Sequence, residues 1–428
     1  MIDTTIEIAL TVFVMLMLIA QLIAIKFKTP YTLVLVFIGI LTSALAAVAT
    51  GTNPLSSVLL ISVQWIRSIY GQLVSSGLFV GLIVPPLLFE AMMHIKHGEL
   101  KAVIRPSMVL ATVGVLLSTV VAALVVWKFA GLTLFSALLF AVIISPTDTI
   151  TVLQIFRHIN VPQRLSTLMD TEAAFNDATA IVLFSIILSS ADLAHASIIN
   201  GVEIFLYSFA GGGVIGMAVA WTAKKIHSMV NDKLTEITLT IAAVYGTYVL
   251  ATGIGASGLI AVAIVGLYFG NSTMKQSMTE QVRWSIVSFW EIAAFIGNAV
   301  AFLLIGFEMD LSIFFQAAAV IFVAYISTII SRAAAVYPTF AVFRQFGSRI
   351  PITWGNIATM GGVRGALSIA LLATLASSGM LPASELSTIT AMVLGVVFIS
   401  IIVQVPILSG YAAGLFGRHK TPHELPVT

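Results

Sequence analysis

The sequence predicts an all-α, polytopic membrane protein. Of 428 residues, 59% are hydrophobic and only 9% are charged, where a soluble protein carries roughly 25% charged residues. The apolar residues fall in runs of about 20 or more, the length that crosses a hydrocarbon core of ~30 Å. Lysine and arginine gather in alternate connections between those runs, as they do when such connections face the cytoplasm. The chain has no cysteine, so disulfide and thiol chemistry are excluded. Its first run follows only Asp3 and Glu7, without the basic leader of a cleaved signal peptide, and is expected to be retained.

About thirteen spans are expected, near 5–25, 30–50, 71–93, 106–127, 132–156, 165–189, 198–223, 235–252, 257–270, 284–307, 311–342, 352–378 and 386–412. With the N-terminus outside, connections after odd-numbered spans face the cytoplasm. They and their flanks hold Lys26 and Lys28; Lys96, Lys101 and Arg105; Arg157 and Arg164; Lys224, Lys225 and Lys233; Lys275 and Arg283; Arg344 and Arg349; Arg418 and Lys420. Only Arg67, Lys128, Arg332 and Arg364 fall elsewhere. The loops "SSADLAHA", "GIGAS" and "SSGMLPAS" carry no basic residue and are expected outside. A miscount by one span would scramble this alternation, so the pattern predicts a cytoplasmic C-terminus. The short tail after the last span leaves no room for a soluble regulatory domain, the expectation for this chain.

Glu90, Asp148, Glu172 and Asp177 lie well inside apparent spans, whereas Glu203 and Glu291 lie nearer span ends. Arg332 and Arg364 are the basic counterparts. A charge at the bilayer centre costs on the order of 3 kcal/mol, so such groups face a protein interior or a water-filled cavity. One acid alone is as easily a helix-to-helix ion pair as a transport group. Four in one half of a chain point to an ion pathway.

Two spans are expected to be broken. The fifth reads "FAVIISPTDTITVLQIF", where Pro146 removes a backbone donor and Thr147, Asp148, Thr149 and Thr151 follow. The twelfth reads "NIATMGGVRGALSIALL", where Gly361, Gly362 and Gly365 weaken the helix around Arg364. Ordinary kinking is the simpler reading of either one alone. Taken as two six-span halves, 1–6 and 8–13 with span 7 between, each half carries its break in its fifth span. That is the arrangement of inverted-repeat transporters, whose half-helix ends meet near the midplane.

The sixth span contains "TEAAFNDATAIVLF". On a helix, residues four apart share a face, so Glu172 lies under Asn176 and Ala173 under Asp177. Asp177 is about 100° round from Asn176. Arg364 is the candidate to neutralise one acid, since a buried charge persists only with a well-placed partner. An aqueous aspartate titrates near ~3.9, and burial penalises the charged form of a carboxylate. Proton and monovalent cation then compete for one group. Hard oxygen ligands suit Na⁺, Li⁺ or K⁺, and softer metals would call for His or Cys.

The motifs "PPLLFEA", "SPTD", "FNDATAIVLF" and "GGVRGALSIAL", in this order along essentially the whole chain, resemble NhaP-type Na⁺/H⁺ antiporters of the monovalent cation:proton antiporter-1 family, relatives of the animal sodium/proton exchangers. The resemblance implies electroneutral one-for-one exchange of Na⁺ or Li⁺ for a proton, by elevator-like movement in a homodimer of the plasma membrane (the inner membrane in a Gram-negative cell), serving pH homeostasis. It implies a scaffold of 1–95 and 231–309 that carries the dimer contact, a moving core of 96–195 and 310–415, a connecting span in 196–230 and a cytoplasmic tail of 416–428. Asp177 would be the cation- and proton-binding carboxylate, and Asn176 the neutral neighbour that marks electroneutrality. Thr147 and Asp148 would supply further oxygens to Na⁺, and Glu90 would line the site. Glu172 would pair with Arg364. Two residues depart from the family pattern: Ala173 stands where many relatives have Ser, and Thr149 where Pro is common. Ala173 removes a hydroxyl from beneath Asp177, which makes it the candidate selectivity position and keeps K⁺/H⁺ exchange as the alternative.

Other classes find less support. A cation channel or leak pathway would want a repeated filter segment, and none appears. No phosphate loop, nucleophile elbow or metal cluster points to an enzyme, a cofactor or a nucleic-acid partner. "GGGVIG" has the small-xxx-small spacing of close helix packing, and "GIGASG" lacks the preceding strand that a nucleotide fingerprint needs. His94 and His97 sit at an inner membrane edge, where an ordinary solvated histidine is a better reading than a pH sensor.

Overall fold

A computed structural model describes residues 2–27, 29–48, 62–68, 78–156, 159–190, 198–230, 232–308, 311–345 and 350–417. Lys28, Arg157, Arg349, Arg418, Lys420 and most of the loop "SSADLAHA" lie outside the described residues. The principal helices are α1 (Ile2–Phe27), α2 (Tyr31–Val48), α3 (Leu78–His94), α4 (His97–Phe129), α5 (Leu134–Ile144), α6 (Thr149–Phe156), α7 (Gln163–Ser189), α8 (Ile198–His227), α9 (Lys233–Gly253), α10 (Gly258–Thr273), α11 (Glu280–Glu308), α12 (Ala318–Gln345), α13 (Ile352–Met360), α14 (Ala366–Ser378) and α15 (Ala383–Phe416).

Among the described residues, eight helices are long and apolar enough to cross a membrane: α1, α4, α7, α8, α9, α11, α12 and α15. The apolar helices α2, α3, α5, α10 and α14 are shorter. Every expected span overlaps one helix or a broken pair. The boundaries differ most at α4, which starts at His97 rather than near 106. Its polar first turns dock on α7, where Thr167 Oγ1 donates a 3.0 Å hydrogen bond to Glu99. The expected eleventh span divides into a short helix, Leu311–Gln316, and α12.

Both expected breaks are present. α5 ends at Ile144 and α6 begins at Thr149, and α13 ends at Met360 before α14 begins at Ala366. Three continuous helices each carry one π turn: Leu110–Gly114 in α4, Phe269–Thr273 in α10 and Ser400–Gln404 in α15. Such turns widen the helix locally and free backbone groups for other partners.

The helices pack around two buried apolar clusters. One joins α2, α5, α6, the C-terminal half of α11 and α12–α15, and the other joins α3, α9, α10 and the N-terminal half of α11. α7 belongs to both, through Leu165, Leu168 and Met169 on one side and Ala174, Phe175 and Ala178 on the other. That boundary position brings the polar residues of α7 between the two clusters. Within the second half of the bundle α8 lies directly on α10: a Cβ at Gly216 would stand 2.5 Å from the Ala261 carbonyl oxygen, and one at Gly212 would stand 2.6 Å from that of Ser257. Backbone approaches backbone here because neither glycine has a side chain.

Gly216→Val should therefore force α8 and α10 apart, at about 1–3 kcal/mol. In detergent its melting temperature should fall by several degrees. Gly410→Val, where an added Cβ meets no atom within 4 Å, should melt with the parent protein.

Candidate ion-binding site

Unwinding a helix inside a membrane exposes backbone groups that only protein can satisfy. The two unwound segments, 145–148 and 361–365, satisfy each other. Asp148 N–H donates to the Val363 carbonyl at 2.7 Å. The Arg364 guanidinium donates through Nη1 to the carbonyls of Ser145 (3.0 Å) and Pro146 (3.1 Å), at the C-terminal end of α5, where the helix dipole favours a cation. The π turn of α15 completes the arrangement. Ser400 Oγ accepts from Arg364 N–H at 3.2 Å, and Gln404 Nε2 donates to the Met360 carbonyl at 2.5 Å. Gly365 touches Asp148 so closely that a Cβ there would lie 2.6 Å from the aspartate Cβ.

The expected pairing of Glu172 with Arg364 is corrected by the structure. Glu172, fully buried on α7, binds Arg332 of α12 in a bidentate pair, 2.5 Å to Nη1 and 2.6 Å to Nη2. Arg332 Nε also donates to the Ala358 carbonyl at 3.2 Å, and its stem lies against Gly362. The physical reason is that Arg364 is already committed to the carbonyls of the broken fifth span. Arg332 offers its planar fork from a facing helix, the geometry a carboxylate accepts best.

Asn176 ties α7 to the crossing. Its amide donates to Thr147 Oγ1 at 2.8 Å and to Glu172 Oε1 at 3.3 Å. Asp148 accepts from Thr151 Oγ1 at 2.9 Å, and Thr151 in turn shares a 3.1 Å hydrogen bond with Thr32 of α2.

Asp177 is different. It is half-buried, and among the described residues no hydrogen bond or ion pair from the protein reaches its carboxylate. The like-charged Asp148 and Glu172 act on it. It lines a cleft with Pro146, Thr147, Asp148, Ala173 and Gly365, facing Val84, Leu87, Leu88 and Ala91 of α3 and Asn298 and Phe302 of α11. The structure thus gathers Asp177, Asp148, Thr147 and Ala173 at one cleft, with Asn176 bonded behind them. An anionic group with oxygens around it and no cationic partner is suited to hold a cation or a proton.

Glu90 is not among the residues lining the cleft, contrary to expectation. Its neighbours Leu87, Leu88 and Ala91 present their face of α3 to the cleft. Glu90 instead lies 3.4 Å from His94 Nδ1 and clusters with Glu291 of α11. His97 N–H is held by Asn271 Oδ1 at 2.8 Å. The cleft also contains Asp170, Asn298 and Ser368, which the sequence reading did not single out. Asp170 had a legible signal: seven residues before Asp177, it falls on the same helical face. Ser368 lay inside a quoted motif but reads as an ordinary helix serine until its surroundings are known.

The model of the transmembrane sodium/hydrogen exchanger family matches residues 12–413. The chain is 30% identical to the Na⁺/H⁺ antiporter NhaS2 of Synechocystis sp. over 84% of its own length and 62% of that protein's. It is 32% identical to the Na⁺/H⁺ antiporter ApNhaP of Aphanothece halophytica over 77% of the chain and 63% of the relative. With the Na⁺/H⁺ antiporter NhaP of Pseudomonas aeruginosa it shares 33% identity over 68% and 71% of the two chains. It thus spans somewhat under two thirds of the first two of these relatives. The solved structure of the sodium proton antiporter MjNhaP1 from Methanocaldococcus jannaschii at pH 8 superposes with a TM-score of 0.74, at 21% identity, over 96% of this chain and all of that one. That likeness establishes the fold.

Breaking the buried Glu172–Arg332 pair should be costly: Arg332→Met or Glu172→Gln alone should destabilise the protein by about 3–5 kcal/mol, since each leaves an uncompensated buried group. A double-mutant cycle on stability should show strong coupling between positions 172 and 332 and much weaker coupling between 172 and 364.

Proposed function

The chain belongs to the transmembrane sodium/hydrogen exchanger family, and from that membership we propose that it is a secondary-active antiporter that exchanges one Na⁺ or Li⁺ for one proton at Asp177. The observation that carries the reading is the Asp177 carboxylate, which lines a cleft that contains, among the described residues, no Lys, Arg or His. Its basic neighbours are engaged elsewhere, Arg332 with Glu172 and Arg364 with backbone carbonyls.

In the proposed cycle the ionised Asp177 takes a cation, with Asp148 and the Thr147 carbonyl as further oxygens. Hard ligands of this kind suit alkali cations. A proton arriving from the other side displaces the cation and neutralises the same carboxylate. An unneutralised carboxylate is expensive to carry through a low-dielectric barrier, so the site changes sides only when occupied. Na⁺ and H⁺ carry the same charge, so the loaded site has the same net charge with either occupant; Asn176, being neutral, adds no second carboxylate beside Asp177 to take another proton, and exchange is electroneutral. The hydrogen bonds from Asn176 and Arg364 keep the crossing and α7 together as one body.

The wider architecture belongs to the same proposal. Thirteen crossings in two inverted six-span repeats place the N-terminus outside and the C-terminus in the cytoplasm. Spans 4–6 and 11–13 move in an elevator-like way against spans 1–3 and 8–10, which carry a homodimer contact in the plasma membrane.

Purified protein in proteoliposomes with an imposed proton gradient should dissipate that gradient on addition of NaCl or LiCl. The rate should not change when the membrane potential is clamped with valinomycin and K⁺, as electroneutral exchange requires. Asp177→Asn should reduce exchange to the level of empty vesicles for Na⁺, Li⁺ and K⁺. Exchange that persists in that variant would overturn the assigned role, and a K⁺ response above that to Na⁺ would favour K⁺/H⁺ exchange.

A further inference from the structure

Ser368 stands in the first turn of α14, is 1% exposed and lines the same cleft as Asp177, Asp148 and Ala173. Among the described residues, no protein group hydrogen-bonds its hydroxyl. Buried hydroxyls are rarely left in this condition, and one that is asks for a specific explanation, an ion included. Three other hydroxyls on α14 behave ordinarily. Thr374 donates to the Ala370 carbonyl at 2.9 Å, Ser377 to Thr374 at 2.9 Å and Ser378 to Leu375 at 2.7 Å. Ser368 has no such turn behind it, because Arg364 and Gly365 belong to the unwound segment.

Its position relative to the carboxylates follows from the crossing. Gly365 packs on Asp148, and Ser368, three residues on in the first turn of α14, lines the same cleft as both. Ala173 offers the cleft only a methyl group, directly beneath Asp177 on α7. The site therefore lacks a hydroxyl on one wall and presents an uncommitted one from another.

We propose that Ser368 Oγ is a ligand of the transported cation and supplies from α14 the hydroxyl oxygen that Ala173 does not supply from α7. The inference rests on cation binding at Asp177. A hydroxyl adds an oxygen without adding charge, so it changes affinity and selectivity among alkali cations while leaving one-for-one exchange intact. It also couples the second broken span to ion occupancy, since the cation then bridges α7, the 145–148 segment and α14.

The test compares four proteins in proteoliposomes, each assayed with NaCl, LiCl and KCl: the parent, Ser368→Ala, Ala173→Ser and Ala173→Ser/Ser368→Ala. Ser368→Ala should raise the apparent KM for Na⁺ about tenfold, the scale of one hydrogen-bond-like contact to a charged group. It should leave the maximal rate within about twofold and alter the Na⁺-to-K⁺ ratio. The double variant should recover most of the Na⁺ affinity, because it returns the hydroxyl from the opposite wall. A packing role predicts equal losses for all three cations and no recovery in the double variant, and that result would overturn the inference. Should Ser368→Ala fail to fold, Ser368→Cys keeps the size and replaces a hard oxygen with soft sulfur. It should weaken Na⁺ in the same way, and parent-like Na⁺ affinity would count against the ligand role. Asp177→Asn, run alongside, separates the two ideas. If it exchanges, the proposed function fails. If it is inactive while Ser368→Ala matches the parent, only the Ser368 assignment fails.

Discussion

The arrangement depends on the mutual satisfaction of two unwound backbones inside an apolar bundle. A broken helix presents donors and acceptors that lipid cannot meet. Here the break at 145–148 and the break at 361–365 meet each other through Asp148 N–H and the Val363 carbonyl. Arg364 covers the carbonyls at the end of α5, and the π turn of α15 meets both Arg364 and Met360. Gly365 permits the contact because a side chain there would collide with Asp148. With these bonds in place, Asp177, Asp148, Thr147 and the start of α14 stand around one cleft.

The distribution of charge follows from that constraint. Arg364 serves the crossing, so the acid of "TEAAFNDATAIVLF" that needs neutralising is met from elsewhere, by Arg332. Glu172 and Arg332 then form a buried pair that fixes α7 against α12 and α13, and Asn176 extends the tie to Thr147. Asp177, one residue on and about 100° round the helix, escapes this network and faces the cleft. Adjacent positions on one helix thus divide between structure and ion handling. In the proposed cycle, the competition between proton and cation arises from that single unpaired carboxylate.

Much of this was legible in the sequence where the cause is local. Pro146 and the glycines around Arg364 break helices by backbone chemistry that needs no tertiary information, and the apolar runs fix the helices in order. The close approach of Gly212 and Gly216 to α10 likewise follows from residue size. What failed depends on which helices meet and how they are rotated. Arg332 and Arg364 are equivalent candidates for Glu172 until α12 is seen against α7. Glu90 belongs to a family-like motif, yet α3 turns Leu87, Leu88 and Ala91 to the cleft and Glu90 toward His94 and Glu291. Ser368 carries no sequence signal of its own, because its lack of a partner is a property of the helix start behind it.

Competition at one carboxylate makes a stoichiometric demand that binding alone can test. Calorimetric titration of the purified protein with NaCl, in two buffers of different ionisation enthalpy and at a pH where Asp177 is protonated before cation arrives, counts the protons displaced. The account requires one proton released for each cation bound, and loss of both the binding and the release in Asp177→Asn. Cation binding without proton release, or release that survives in Asp177→Asn, would contradict it.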